Sequence, residues 1–166
     1  MNKRKIVRKW MWVWDFEKEE QWLNEMAMEG WALEKVGFCT YKFIHCEPGE
    51  YIIRLEMHDS DDAYMDLMHQ TGAEYIGRVC KWIYFRRKSE HGAFDIFSNI
   101  DSRISHLESI AKMLLIIGIA NIIIGLCCYN NHLGFINLLC GCLLMYGLGR
   151  IRGKEDELKK ERMLHE

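Results

Sequence analysis

His58-Asp59-Ser60-Asp61-Asp62 is the densest run of chemically capable side chains in this sequence, and the chemistry it suggests is cation binding. Carboxylates and an imidazole within five positions offer the oxygen and nitrogen ligands that divalent ions take. The same residue types are also what a helix N-terminus attracts, because short acidic side chains accept from its free amides and oppose the positive end of its dipole. Tyr64, Met65, Leu67 and Met68 follow at helical spacing, so a helix start is the simpler reading and no metal is assigned. His45 and Cys46 would pair a base with a nucleophile, but neighbours on a strand point to opposite faces. Cys140 and Cys142, two apart on a helix, point about 200° from each other and cannot easily share an ion. There is no Gly-rich phosphate loop, no His-Glu-x-x-His and no Gly-x-Ser-x-Gly. The chain is therefore read as a non-enzyme with no cofactor.

The remaining chemistry is that of surfaces. Trp10, Trp12 and Trp14 alternate along Lys9–Trp14, which reads as a strand with the three indoles on one face. Packing in a core is one use for that face. The other is a partner surface: with Trp31 and Trp82, and with Arg54, Arg78 and Arg86 nearby in the pattern, an exposed aromatic strip suits a protein partner or lipid headgroups. Trp10, Trp12, Trp14, Trp82, Arg54 and Arg86 are the candidate partner-binding residues.

Met113 to Gly149, 37 positions, contains no Asp, Glu, Lys or Arg. Tyr129-Asn130-Asn131-His132 divides it into two apolar segments, each long enough at about 1.5 Å per residue to cross most of a ~30 Å hydrocarbon core. A soluble core helix keeps a polar side for water, and neither segment has one. A transmembrane helical hairpin over 110–149 is expected. Arg103 and Lys112 precede the charge-free stretch and Arg150, Arg152, Lys154, Lys159 and Lys160 follow it, so both termini should face the cytoplasm. Gly118-x6-Gly125 sets small residues two turns apart, suited to packing within the hairpin or, as the sharper alternative, to a homo-oligomer through the spans. Asn121 and Asn137 could hydrogen-bond across such a contact. No acidic or basic residue lies mid-span, which removes the usual proton relay or ion path.

Charge and cysteines bound the rest. Residues 1–112 carry 16 Lys/Arg against 19 Asp/Glu, and 150–166 carry 6 against 5. Both flanks are near neutral, so direct nucleic-acid binding is not expected. Seven cysteines, four of them (Cys127, Cys128, Cys140, Cys142) in the apolar segments, do not make a secreted disulfide framework, and Cys39, Cys46 and Cys80 read as reduced thiols. The basic start Met-Asn-Lys-Arg-Lys is followed by too short an apolar run for a signal peptide.

These sites need elements to hold them. Asp15 reads as an N-cap, and Glu17, Glu19 and Glu20 as dipole partners, for a helix at about 16–29 closed by Gly30. Strands follow over Trp31–Val36 and Cys39–His45. Glu47-Pro48-Gly49-Glu50 then forms a tight turn into Tyr51–Met57, whose alternation suggests a hairpin. A second helix runs from Asp59 to Gly72, and Tyr75–Phe85 is one bent strand or a hairpin. The class is α+β, an antiparallel sheet with two helices in ferredoxin-like order, with no internal repeat detected. The expected divisions are an α+β domain over 1–88, a linker and connecting helix start over 89–109, the hairpin, and a charged helical tail over 150–166. Ser98 or Asn99 should cap the connecting helix, and Glu155–Lys159 and Asp156–Lys160 are spaced to pair in the tail.

Trp14-Asp15-Phe16-Glu17-Lys18-Glu19-Glu20-Gln21-Trp22-Leu23-Asn24-Glu25-Met26, Gly30-Trp31-Ala32-Leu33, Glu47-Pro48-Gly49-Glu50-Tyr51, Trp82-Ile83-Tyr84-Phe85-Arg86 and Phe97-Ser98-Asn99-Ile100-Asp101-Ser102 together resemble the bacterial domain-of-unknown-function family 2812, over about residues 8–107. The resemblance implies a soluble module followed by membrane helices and, as a partner, a PadR-type transcriptional regulator of the kind often encoded beside members. It implies no activity and no catalytic residues. The functional expectation is a membrane-anchored cytoplasmic interaction or regulatory module. Its alternative is an accessory subunit of a membrane transporter or an envelope stress-response system.

Overall fold

The computed structural model describes residues 3–58, 62–97 and 99–165. The chain folds as two compact units, residues 1–96 and 97–166.

In the first unit, β1 (Arg4–Arg8), α1 (Phe16–Met28), β2 (Trp31–Gly37) and β3 (Thr40–His45) are followed by β4 (Tyr51–Met57), α2 (Asp62–Gln70), β5 (Glu74–Val79) and β6 (Trp82–Lys88). The α+β class stands, and the strands divide into two antiparallel sheets, ordered β1-β3-β2 and β4-β6-β5. Each sheet has its first strand paired to its third and its third to its second. The unit is thus a β-α-β-β motif used twice, a repeat that the sequence reading did not detect.

The correspondence is close at the positions that backbone geometry controls. Gly30 and Gly72 each stand two residues past a helix end at φ 85° and 79°, a conformation that favours glycine. Each following hairpin breaks register at the fourth position after that glycine, between Leu33 and Lys35 in β2 and between Tyr75 and Gly77 in β5. Each then turns over two residues, with positive φ at the second turn residue in one hairpin (Cys39, 51°) and at the first in the other (Cys80, 54°). In this register Phe43 matches Phe85, and both are buried.

Several local expectations are corrected. The Lys9–Trp14 strand is not formed: β1 lies earlier, Lys9 N–H makes the last link to Cys39 O (3.2 Å), and Val13–Asp15 is a 3-10 turn. The Pro48-Gly49 turn does not close a hairpin, because β3 and β4 belong to different sheets and β4 pairs along its whole length with β6. Gly49 N–H instead donates to Ala27 O (3.0 Å) and Cys46 N–H to Gly30 O (2.9 Å), fastening this crossing to the end of α1. Tyr75–Phe85 is a hairpin. Residues 89–96, read as linker, fold into the domain: Phe94 is buried with Met68, Ala73, Ile83 and Phe85, and the Arg87 guanidinium lies 4.7 Å over its ring.

The second unit is a helical hairpin of α3 (Ile100–Cys127) and α4 (His132–His165). Asn99 caps α3 through a reciprocal capping box with Ser102; Ser98, the other expected cap, lies outside the described residues. Both helices are long and apolar enough to cross a membrane. Gly118, Gly125 and Gly141 sit in their mutual contact, where a Cβ on Gly118 would meet Met145 Cε at 3.1 Å. The glycine pair is therefore engaged within the hairpin. Asn121 and Asn137 do not reach across it: each Nδ2 donates to the carbonyl one turn back in its own helix, Ile117 O and Leu133 O (both 2.8 Å).

Beyond the apolar stretch the two helices stay paired through charge. Lys159 Nζ contacts Glu108 Oε1 (3.2 Å) and Glu155 Oε1 (2.6 Å), the latter an expected pair, and Arg162 meets Asp101 (2.9 Å). Burial opposes ionisation of Glu155, but donors from Lys159 and Arg152 outweigh it and hold the carboxyl below its ordinary value.

Candidate interaction site

α1 ties the two sheets together through its side chains. Phe16, Glu19, Leu23, Met26 and Ala27 form its buried stripe, at the i, i+3, i+7 spacing of one helix face. Phe16 packs on Trp82, with ring centroids 5.3 Å apart. Glu19 is an acid on an apolar stripe, and it accepts from Tyr41 Oη (2.7 Å) on β3 and Tyr84 Oη (2.6 Å) on β6. One carboxylate thus links the helix to both sheets. Burial, reinforced by that carboxylate, pushes both phenols well above their ordinary value.

The neighbouring face of α1 closes a sheet edge. Asn24 Oδ1 accepts from Ile53 N–H (2.9 Å) while its Nδ2 donates to Ile53 O (2.9 Å), and Glu20 Oε2 accepts from Leu55 N–H (3.1 Å). These are the outward-facing groups of β4, an edge strand that would otherwise offer them to another chain. Burial raises the Glu20 carboxyl, opposed by Arg54 and by the Leu55 amide. The acidic residues read as dipole partners are therefore divided in role. Glu17 stays exposed, whereas Glu19 and Glu20 face inward. The signal was Glu19 sharing its stripe with Phe16, Leu23 and Met26. At the N-cap position, Asp15 turns its carboxylate to Lys18 (3.0 Å).

The candidate partner-binding residues separate into two groups. Trp14 and Trp82 are buried. Arg54 contacts Glu20 at 3.3 Å and donates to Ile53 O (3.1 Å). Arg86 joins the two sheets: Nη1 donates to Leu33 O (2.9 Å), Nε meets Glu74 (2.7 Å), and the guanidinium lies 4.7 Å over Tyr51. These four serve the fold. Trp10 and Trp12 do reach the surface, 57% and 39% exposed, with Phe38 beside them at 72%.

The three indoles form a ladder from surface to core. Trp12 stacks on buried Trp14 at 4.9 Å with planes 9° apart, and Trp10 meets Trp12 edge-on at 5.3 Å. Phe38, in the β2–β3 turn, closes on Trp10 at 5.9 Å. Rings anchored in this way are pre-ordered, so a partner covering them loses little side-chain entropy. Cations line the approach: Lys3, Arg4, Lys5 and Arg8 are exposed, and Lys9 Nζ sits 4.2 Å over Trp22.

The His58 run keeps part of its chemistry in view. Tyr64 Oη donates to Glu56 Oε2 (2.7 Å), and the His58 ring stacks on Tyr64 at 4.0 Å. Burial raises the Glu56 carboxyl, opposed by the Tyr64 hydrogen bond and by His58. Asp59, Ser60 and Asp61 lie outside the described residues, and among those described no three His, Cys, Asp or Glu side chains gather as a metal ion requires.

An α+β domain with an aromatic surface ladder, followed by two helices long and apolar enough to cross a membrane, is the class that fold and site define. Within that class the chain belongs to the family described as Protein of unknown function (DUF2812), whose model matches residues 15–119, from the start of α1 into the apolar part of α3. No curated protein and no solved structure matches the chain.

Proposed function

We propose that this protein is a membrane-anchored interaction module without catalytic activity, in which the α3–α4 hairpin crosses a bacterial cell membrane and the α+β domain binds a protein partner in the cytoplasm. The observation that carries the partner reading is the Trp10–Trp12–Phe38 cluster, an exposed aromatic group fixed to the core through Trp14. Aromatic side chains beside cations are the residue types that dominate binding energy at protein interfaces.

Membrane insertion is supported by the surface of the hairpin. Ile116, Ile123, Leu126, Leu133 and Phe135 are each more than half exposed, an apolar extent that soluble monomers do not present to water. Lys and Arg at both outer ends favour cytoplasmic termini. The family resemblance puts a PadR-type regulator first among partners, with another membrane protein second.

The test is co-purification in mild detergent from cells expressing wild type, Trp10→Ala or Trp12→Ala. A specific protein recovered with wild type and depleted about tenfold or more by Trp10→Ala, with the melting curve unchanged, is the expected outcome; a tenfold loss corresponds to about 1.4 kcal/mol. Identical recoveries from all three chains would defeat the reading. Exchanging the hairpin for an unrelated two-span anchor distinguishes the accessory-subunit alternative, which requires this hairpin itself.

A further inference from the structure

The two halves of the duplicated motif treat their first strands differently. In the second half, both outward backbone groups of Ile53 on β4 are taken by Asn24, and the outward amide of Leu55 by Glu20. In the shared register, Arg8 opposite Thr40 corresponds to Met57 opposite Trp82, so Arg4 and Ile6 are the counterparts of Ile53 and Leu55.

The direction of those groups on β1 follows from its ends. His45 N–H donates to Lys3 O (3.0 Å) and Lys9 N–H to Cys39 O (3.2 Å), so the odd-numbered residues face β3. By the two-residue period of a strand, the amides and carbonyls of Arg4, Ile6 and Arg8 point outward. Arg4, Ile6 and Arg8 are exposed, Ile6 at 62%, and among the described residues no helix takes the place that α1 takes on β4. One edge of this domain is sealed by side chains; its counterpart is open.

Resting on the interaction-module reading above, we infer that the open β1 edge is where the partner binds, by adding an extended acidic segment as a further strand to the β1-β3-β2 sheet. Strand addition draws affinity from main-chain hydrogen bonds and specificity from side chains along the added strand. Charge selects the occupant. Lys3, Arg4, Lys5, Arg8 and Lys9 place five cations within seven positions, and the single ion pair of Arg4 with Glu34 (3.0 Å) leaves the row with an excess of positive charge. Glutamates or aspartates on the incoming strand complement that row, whereas the β1 strand of a second copy would set cations against cations. Trp10 and Phe38, at the end where β1 leaves the sheet, supply the apolar contact that closes the site.

Ile6→Pro tests this without disturbing the fold. It removes an amide that points away from β3, and proline is tolerated on edge strands when the lost N–H faced solvent. The full-length chain in detergent micelles is titrated with a short peptide alternating glutamate and valine, followed by tryptophan fluorescence and by amide hydrogen exchange at Ile6. Expected are saturable binding, slower exchange at Ile6, and affinity about tenfold weaker for Ile6→Pro and for the lysine-for-glutamate peptide. Binding of Ile6→Pro equal to wild type would show contact without strand addition and overturn the proposal. So would equal binding of both peptides, or a response only to anionic phospholipid vesicles. If no peptide binds while co-purification still depends on Trp10, the strand proposal fails and the interaction reading survives; if that dependence is also lost, both fail.

Discussion

Glu19→Ala is expected to destabilise the α+β domain by about 3–5 kcal/mol, a large share of the roughly 5–15 kcal/mol available to a domain. The loss follows from what remains: Tyr41 and Tyr84, both buried, keep hydroxyls that have lost their common acceptor. Each such orphan costs about 1–3 kcal/mol, and the link between the two sheets disappears with them. Glu19→Gln retains an acceptor oxygen and should lose markedly less. The triple variant Glu19→Leu, Tyr41→Phe, Tyr84→Phe should recover much of the Glu19→Ala loss, because removing all partners together leaves nothing unsatisfied. Urea melts of the full chain in detergent, read by tryptophan fluorescence, measure this. A Glu19→Ala midpoint close to wild type would show that the carboxylate does not hold the sheets together.

Gly125→Leu should open the α3–α4 hairpin. A Cβ at this position would sit 2.6 Å from Leu138 Cγ and 2.9 Å from Leu138 N, and a backbone nitrogen cannot rotate out of the way. Gly141 is in the reciprocal position, with Ile122 Cγ1 at 2.6 Å and Gly118 O at 3.3 Å from its Cβ site. Close approach through small residues is the main source of helix association where the surroundings are apolar, so forcing the axes apart removes the attraction as well as adding strain. Spin labels at Ile119→Cys and Ile136→Cys, in a chain lacking its native cysteines, should show a longer and broader distance distribution in Gly125→Leu. Gly149→Leu is the control, since nothing lies within 4 Å of its Cβ site. Matching distributions for Gly125→Leu and wild type would contradict the packing described here.

The hairpin was legible because its signal is cumulative: 37 consecutive positions without charge, broken once at Tyr129–His132, spell out two long apolar helices. α1 and β4 were legible because period and boundary residues agreed, at Gly30 and across Tyr51–Met57. Strand pairing was not. Pro48-Gly49 has turn chemistry whether it closes a hairpin or crosses between sheets, and only the remote pairing of β4 with β6 decides. The Trp10, Trp12, Trp14 alternation imitates a strand, but the rings pack on one another, edge-on and then stacked, rather than lining a sheet. The duplication escaped notice because its halves share geometry more than chemistry. Gly30 with Gly72 and Phe43 with Phe85 coincide, while Trp31 stands against Ala73, Leu33 against Tyr75 and Cys39 against Lys81. The same divergence makes one first strand sealed and the other open. That difference, the most informative about the site, depends on where Asn24 and Glu20 point, which helix periodicity alone does not give.

If a membrane hairpin holds the α+β domain on the cytoplasmic side, labelling by a membrane-impermeant maleimide in intact cells will distinguish the domain from the turn between α3 and α4. One chain keeps exposed Cys80, in the β5–β6 turn, as its sole cysteine; another carries only Asn131→Cys, between α3 and α4. Asn131→Cys should be labelled from outside, and Cys80 only after the membrane is permeabilised. Labelling of Cys80 in intact cells, or recovery of the whole chain in the soluble fraction, would contradict that arrangement.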